Sequence, residues 1–430
     1  MPIQQNQHAI VIGGSIAGLL AARVLSEYFQ QVTIVDRDQL PLTAEPRRGV
    51  PQSVQPHVLF TKGYRILEAL FPGIDDALAT AGAIPFDWGK DFLYFQAGRW
   101  SPTTETPVGL ESYTCTRPLL ESVIRQQVSK IANITFLQEQ RVIGLLSTGT
   151  AIQGVKLPNG ELTAQLVVDA SGRSTHVPQW LESLGITPPP ITVIDPGLGY
   201  TTRRYRIPSQ FQPDGRVLLI SQVPPDQTRL GYLAQVENDQ WIATLGGYAH
   251  DYPPIEEQGF LQFAQSLDHP AFYQAIAQAE PVSDIQAHRA TMNRLYHYEK
   301  IAMPEGLIAI GDAVCALCPI YGQGMTVSAL AALVLQQWLA KSQKPNFQKQ
   351  LARSNAFAWS LATGSDSKFP TTKGAIAPKQ GAKLFQVYLD RLMATAQKDV
   401  EVHLAFLQMA HMLKPPSIVF HPKLVLKTLF

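Results

Sequence analysis

The stretch "AIVIGGSIAGLLAARVLSEYFQQVTIVDRD", Ala9 to Asp38, constrains the fold of this chain more than any other. Ala9 to Ile12 is a short apolar run of the kind that lies buried on both faces of a sheet. Gly13, Gly14 and Gly18 then bend the chain into a helix carrying Leu19, Leu20, Ala21 and Ala22. A second apolar run, Val32 to Val35, ends at Asp36, with Arg37 after it. Strand, glycine-rich turn, helix, strand and acid make a βαβ unit. The helix amino terminus of such a unit offers free amides to a pyrophosphate, and its acid accepts hydrogen bonds from ribose hydroxyls. Asp36 lies 18 residues beyond Gly18, near the usual spacing of about 20. Ser15 stands where the middle glycine would let the backbone approach phosphate, with Ala17 beside Gly18. Serine is small enough for that place and adds a hydroxyl donor, so the turn is expected to hold a nucleotide.

A chain of 430 residues, 45% hydrophobic, can build two or three domains with their own cores. Its net charge of +1 and scattered Lys and Arg give no footprint for nucleic acid. Charged residues are 16% of the chain, below the common value of about 25%, a composition that fits an apolar cavity or a greasy contact surface. Cys115, Cys315 and Cys318 are too few for a disulfide framework, and no charged-then-apolar leader opens the sequence, so a reducing cytoplasm is expected. The apolar region from Gly306 to Ala340 is broken by Asp312, Pro319 and several glycines, which is unsuited to a membrane span.

A second constellation lies far along the chain, in "GLIAIGDAVCALCPIYGQGMTVSALAA", Gly306 to Ala332. Leu307 to Ile310 reads as a buried strand ended by Gly311 and Asp312. A loop with Pro319, Tyr321 and Gly322 then leads into a helix starting near Gly324, Met325 and Thr326. An acid at the end of such a strand can bind ribityl hydroxyls of a flavin. A helix amino terminus stabilises negative charge on the pyrimidine side of a reduced one.

This segment resembles the second flavin fingerprint of the FAD-dependent aromatic hydroxylase and epoxidase superfamily, with Asp312 in the ribityl-binding place. Two further stretches are similar to the same superfamily. "YTCTRPLLESVIRQQV" puts Arg117 at the head of an amphipathic helix, where the family has a flavin-contacting arginine. "AQLVVDASGRSTHVPQWL" resembles the middle motif, but Ser171 precedes Gly172 and the acid is displaced to Asp169. The family's acid there serves both flavin and NADPH, so the displacement leaves NADPH, NADH or a partner flavin or ferredoxin reductase open as electron source. "EPRRGVPQSVQPHVLFTKGYRILEALFPG" resembles the mobile loop against the isoalloxazine ring, with Arg47, Arg48 and His57 as candidate contacts. "GDA" followed by "YGQGMTV" is close to squalene-epoxidase and polyether-epoxidase patterns, with Thr326 where aromatic hydroxylases carry Asn.

The resemblance implies an α/β fold: a Rossmann-like FAD-binding domain (1–90, 108–190, 285–345), a discontinuous antiparallel-sheet substrate domain (91–107, 191–284) and a helical carboxy-terminal region (346–430). It also implies a monooxygenase. One oxygen atom from O2 passes through a flavin C4a-hydroperoxide to an apolar alkene or aromatic ring. Such chemistry needs no metal and no strong acid or base, only flavin-positioning residues, with His57 and Tyr321 as candidates near the ring. Alternating runs "YTTRRYRI", "RVLLISQV", "RLGYLAQV" and "QWIATLGGY" suggest a roof of consecutive hairpins, with Tyr200, Tyr205, Trp241 and Tyr248 as candidate lining. The ending "PKLVLKTLF" reads as a docked helix, with weak membrane-surface contact as the alternative. Cys315 and Cys318 read as flavin-loop residues rather than a redox dithiol. The rivals are an alkene reductase of the geranylgeranyl-reductase type and a non-redox flavoprotein cyclase. A halogenase would carry Trp-x-Trp-x-Ile, which is absent from the sequence.

Overall fold

A computed structural model describes residues 6–41, 43–341, 346–375 and 382–429; positions 1, 345 and 430, which bound the expected domains, lie outside these. Five parallel strands form the central sheet in the order Leu307–Ala309, Leu166–Asp169, Asn6–Ile12, Phe29–Val35, Ile134–Leu137. Helices cover it, so Ala9, Ile10, Val11, Val32 and Ile34 are fully buried, which explains why these strands read as unbroken apolar runs. The strand Asn6–Ile12 pairs with Leu166–Asp169 on one side and Phe29–Val35 on the other. Its carboxyl end therefore opens into the crevice where the strand order changes direction, the place at which open α/β sheets bind ligands. The helix Ile16–Leu25 leaves that end and packs against the helix Gly324–Ala340.

The second sheet runs Glu280–Pro281, Gly199–Arg206, Gln240–Gly247, Arg229–Val236, Val217–Ile220, Phe92–Gln96, Arg99–Trp100. It contains all four alternating runs, but they are not consecutive hairpins throughout. The first pairs with the fourth, Tyr200 opposite Gly246, and not with the second. The link after Arg206 contains Pro208 and Pro213 and is too long for a tight hairpin. Glu237, Asn238 and Asp239 form the short turn between the paired Val236 and Gln240, with Asn238 and Asp239 at positive φ (63° and 54°), the conformation that Asn and Asp tolerate best after Gly. Phe92–Gln96 joins this sheet beside Val217–Ile220, in parallel.

After Lys341 the described residues include the helices Phe347–Asp366, Ala382–Ala396, Val400–Ala410 and Pro422–Leu429. The Asp399 side chain caps Val400–Ala410 by accepting from the amides of Glu401 and Val402. Leu407 of that helix shares one apolar cluster with Phe60, Trp88, Phe92 and Val217, so the helix closes over the second sheet. Pro422–Leu429 docks through buried Leu424 and through Lys427, which pairs with Asp399 and Glu401. Among the described residues no helix is long and apolar enough to cross a membrane.

Candidate functional site

One cavity of about 590 Å³ runs from the nucleotide turn, at Ser15 and Ala17, past Gly324 and Met325, to Phe406 and His411 in the carboxy-terminal region. That volume lies within the range of about 300–1,000 Å³ typical of cofactor and substrate sites.

The turn itself explains its glycines. Gly13 has φ +103°, and a Cβ there would lie 2.7 Å from the Ala170 carbonyl oxygen. A Cβ on Gly18 would lie 1.8 Å from the Gly13 carbonyl oxygen, so only glycine lets the helix start this close to the strand. The Gly14 amide donates to Asp36 Oδ2 at 2.6 Å. Asp36 Oδ1 accepts from the Asp38 amide and from Arg47, so this acid, expected to face ribose, also braces the turn. Ser15 does not leave its hydroxyl free: it donates to Glu121 Oε2 at 2.6 Å and accepts from Arg117 at 2.8 Å.

Glu121 organises this end and was not foreseen, although its position one turn after Arg117 is a legible signal. It accepts from Arg47 Nε at 2.9 Å and Arg117 at 3.1 Å, with Arg125 at 3.6 Å. Burial pushes its carboxyl up, but Arg117, Arg47 and the Ser15 hydroxyl overcome this and hold it down at about 2. Arg47 reaches Asp38 at 2.7 Å as well, so three acids and three arginines form one largely buried network. Arg48, expected beside Arg47, is exposed and takes no part, because the chain turns it outward between Arg47 and Gly49. Arg37 is largely exposed but lines the cavity.

At the middle of the cavity Asp312 follows the strand Leu307–Ala309 and lies 3.6 Å from Arg173. Pro319, Tyr321, Gly322, Gly324 and Met325 line the wall, whereas Gly311 packs behind it against Ala17. Thr326 is fully buried and outside the cavity, its hydroxyl accepting the Phe60 amide at 3.1 Å. It secures the start of the helix Thr61–Leu70. Asp169 is likewise a turn-builder: Ser171 and Thr175 hydroxyls both donate to it at 2.5 Å, and burial raises its carboxyl. His57 lines the cavity with Nδ1 2.9 Å from the Gln55 carbonyl, and burial beside Arg117 lowers it to about 3, so it is neutral. Tyr321 lines the cavity too, but its hydroxyl is committed to Asp366 at 2.5 Å. Asp366 also accepts from Tyr248 and Asn293, and burial raises it to about 6. Cys315 and Cys318 are buried free thiols, both raised by burial, which is inconsistent with a reactive dithiol.

Of the four roof aromatics expected, only Tyr200 lines the cavity. Tyr205 and Trp241 face the opposite side of the sheet, against Phe260 and Phe272, and Tyr248 stacks on Phe369 at 4.3 Å. Period-2 alternation gives two faces but not which one meets the ligand. The far wall is built instead from Phe60, Trp88, Phe92, Tyr94, Leu219 and Tyr232. It is completed by His403, Phe406, Leu407, Ala410 and His411 on one face of the carboxy-terminal helix and its cap.

The residues present fit an FAD. Two helix amino termini, at Ile16 and Gly324, open on one cavity with no side chain capping them and no acid in their first turns. Arg117 is buried with Nε lacking any partner, a cost that an anionic pyrophosphate would remove. Asp312 would meet the ribityl chain.

The fold is that of the FAD-dependent monooxygenases and halogenases. The chain is similar to a flavoprotein/dehydrogenase from Cytophaga hutchinsonii (TM-score 0.68, 14% identity, covering 98% of this chain and 96% of that one). It is similar to CmlS, a flavin-dependent halogenase (TM-score 0.66, 15% identity, 95% and 77%). It is also similar to PqsL, a FAD-dependent monooxygenase from Pseudomonas aeruginosa (TM-score 0.61, 16% identity, 84% and 94%). No family model matches. Protein Rv3254 of Mycobacterium tuberculosis is 32% identical over 372 residues, covering 82% of this chain and 77% of that protein, and the chain belongs to its family.

Proposed function

We propose that the protein is a FAD-dependent monooxygenase that transfers one oxygen atom from O2 to an apolar alkene or aromatic ring. The observation that carries this reading is the single cavity itself, which joins a pyrophosphate-ready turn to an aromatic, acid-free chamber. When bound, FAD supplies the activation of dioxygen for that transfer. The chain's own residues do the rest. Arg117 and the amides at the start of Ile16–Leu25 hold the pyrophosphate. The amides at Gly324 and Met325 stabilise negative charge on the pyrimidine side. The wall of Phe60, Trp88, Phe92 and Tyr94 excludes water and packs the target carbon against the ring. His57 is neutral, and with its Nδ1 donating to the Gln55 carbonyl its Nε2 can accept one hydrogen bond in the cavity without acting as a strong acid or base. Electrons come from NADPH, NADH or a partner reductase.

The test is oxygen consumption by the FAD-loaded protein with NADPH or NADH, with and without a panel of polyene and aromatic compounds. Substrate-coupled uptake with an oxygenated product is expected. Anaerobic alkene reduction would replace the reading by a reductase. Product formation with no change in flavin redox state would replace it by a non-redox cyclase. If neither nicotinamide bleaches the flavin but a reductase does, the electron source is the partner.

A further inference from the structure

The chamber at the far end of the cavity is uniform in charge. Every Arg and Asp lining the cavity, namely Arg37, Arg117, Arg173 and Asp312, comes from segments around the nucleotide sheet. The second sheet and the helix Val400–Ala410 contribute none. What they contribute is an apolar wall with two imidazoles on it. Phe406 and Leu407 lie three and four residues after His403, and Ala410 and the capping His411 three and four residues after Leu407, the spacings that place side chains on one helix face. His411 is already engaged: Nδ1 lies 3.0 Å from the Thr61 hydroxyl, and the ring stacks on Phe60 at 4.5 Å and meets Trp88 edge-on at 4.7 Å. His403 is 3% exposed, lines the chamber, and its ring makes no hydrogen bond among the described residues.

Resting on the monooxygenase reading of the same cavity, we infer that His403 is the hydrogen-bonding anchor for a neutral, largely aromatic or alkene substrate bearing one hydroxyl or carbonyl group, and that the chamber rejects carboxylates. A buried imidazole with no protein partner forgoes a hydrogen bond that a bound ligand can supply. Burial holds the ring neutral, lowering it to about 4, so at neutral pH it offers one donor and one acceptor and no positive charge. A carboxylate would enter a chamber with no cation to meet it, which is costly. A single hydroxyl or carbonyl is satisfied by one imidazole nitrogen, while the remainder of the molecule packs on Phe60, Trp88, Phe92 and Tyr232. His411, tied to Thr61, orients the aromatic wall.

The probes are naphthalene, 2-naphthol and 2-naphthoate, titrated by calorimetry into FAD-loaded wild type, His403→Leu and His403→Gln at neutral pH. Wild type should bind 2-naphthol about three- to tenfold tighter than naphthalene, the worth of one neutral hydrogen bond, and 2-naphthoate weakest of the three. His403→Leu should keep naphthalene affinity and lose the preference for 2-naphthol, while His403→Gln, which retains a donor and an acceptor, should recover part of it. A preference that survives in His403→Leu, tightest binding of 2-naphthoate, or binding of no probe by the FAD-loaded wild type would each overturn the inference. Retained naphthalene affinity and FAD content show that the variants fold. Failure of the monooxygenase reading shows separately, as a wild-type protein that takes up no FAD or that binds the probes yet oxygenates nothing.

Discussion

Replacing Glu121 by glutamine removes the charge that the nucleotide turn is built around. Glu121 is almost wholly buried among Arg47, Arg117 and Arg125 and accepts the Ser15 hydroxyl. Its carboxyl is depressed from 4.5 to about 2, the net of burial opposing two arginines and a hydroxyl. At 1.36 kcal/mol per pH unit, that displacement is worth roughly 3 kcal/mol. Breaking a buried ion pair from one side costs about 3–5 kcal/mol, so the two routes to the number agree. The folded value lies below the unfolded one, so the contribution is fully present above about pH 5 and is lost as pH falls toward 2. Urea unfolding of the FAD-free proteins should therefore show Glu121→Gln less stable by about 3 kcal/mol at pH 7, with the gap roughly halved by pH 3. FAD affinity of the variant should fall about tenfold, because Ser15 and Arg117 lose their common partner. A gap under about 1 kcal/mol at pH 7, or one that does not change with pH, would refute the claim that this carboxylate is held ionised by its arginines.

Further outcomes follow from other parts of the site. Gly18→Ala should give folded protein that retains little FAD on purification, read from flavin absorbance per protein, because its Cβ would meet the Gly13 carbonyl at 1.8 Å. Asp366 is raised from 3.8 to about 6, so wild-type stability should decline by up to about 3 kcal/mol as pH rises through that window, a slope absent from Asp366→Asn. His57, His403 and His411 are lowered by burial to about 3, 4 and 3. Substrate affinity measured between about pH 6 and 8 should therefore show no histidine inflection.

The nucleotide end was legible because its signals are local. The glycines, the helix and Asp36 sit within one βαβ unit, and the steric contacts of Gly13 and Gly18 are contacts with neighbours in that unit or in the adjoining strand. Glu121 was readable in principle from its place four residues after Arg117, but its three-way pairing needs Arg47 from a loop far away in sequence. Thr326 shows the limit of motif reading: its place in the pattern suggests a ligand contact, yet its hydroxyl holds a backbone amide brought from residue 60. The chamber was least legible. His403 and His411 were not among the candidate contacts, because only the docking of Val400–Ala410 on the second sheet turns their helix face toward a ligand. The roof shows the same gap, since alternation marked the strands while the long proline-containing link decided that the first pairs with the fourth.

The measurement that tests the central claim most directly is oxygen-18 labelling. The FAD-loaded protein is supplied with NADPH, NADH or a flavin reductase and with the neutral aromatic and polyene panel under labelled O2, and products are read by mass. The account predicts a product carrying one labelled oxygen atom, formed only when flavin is reduced in air. An unlabelled product, or one that forms equally well without oxygen, would contradict it.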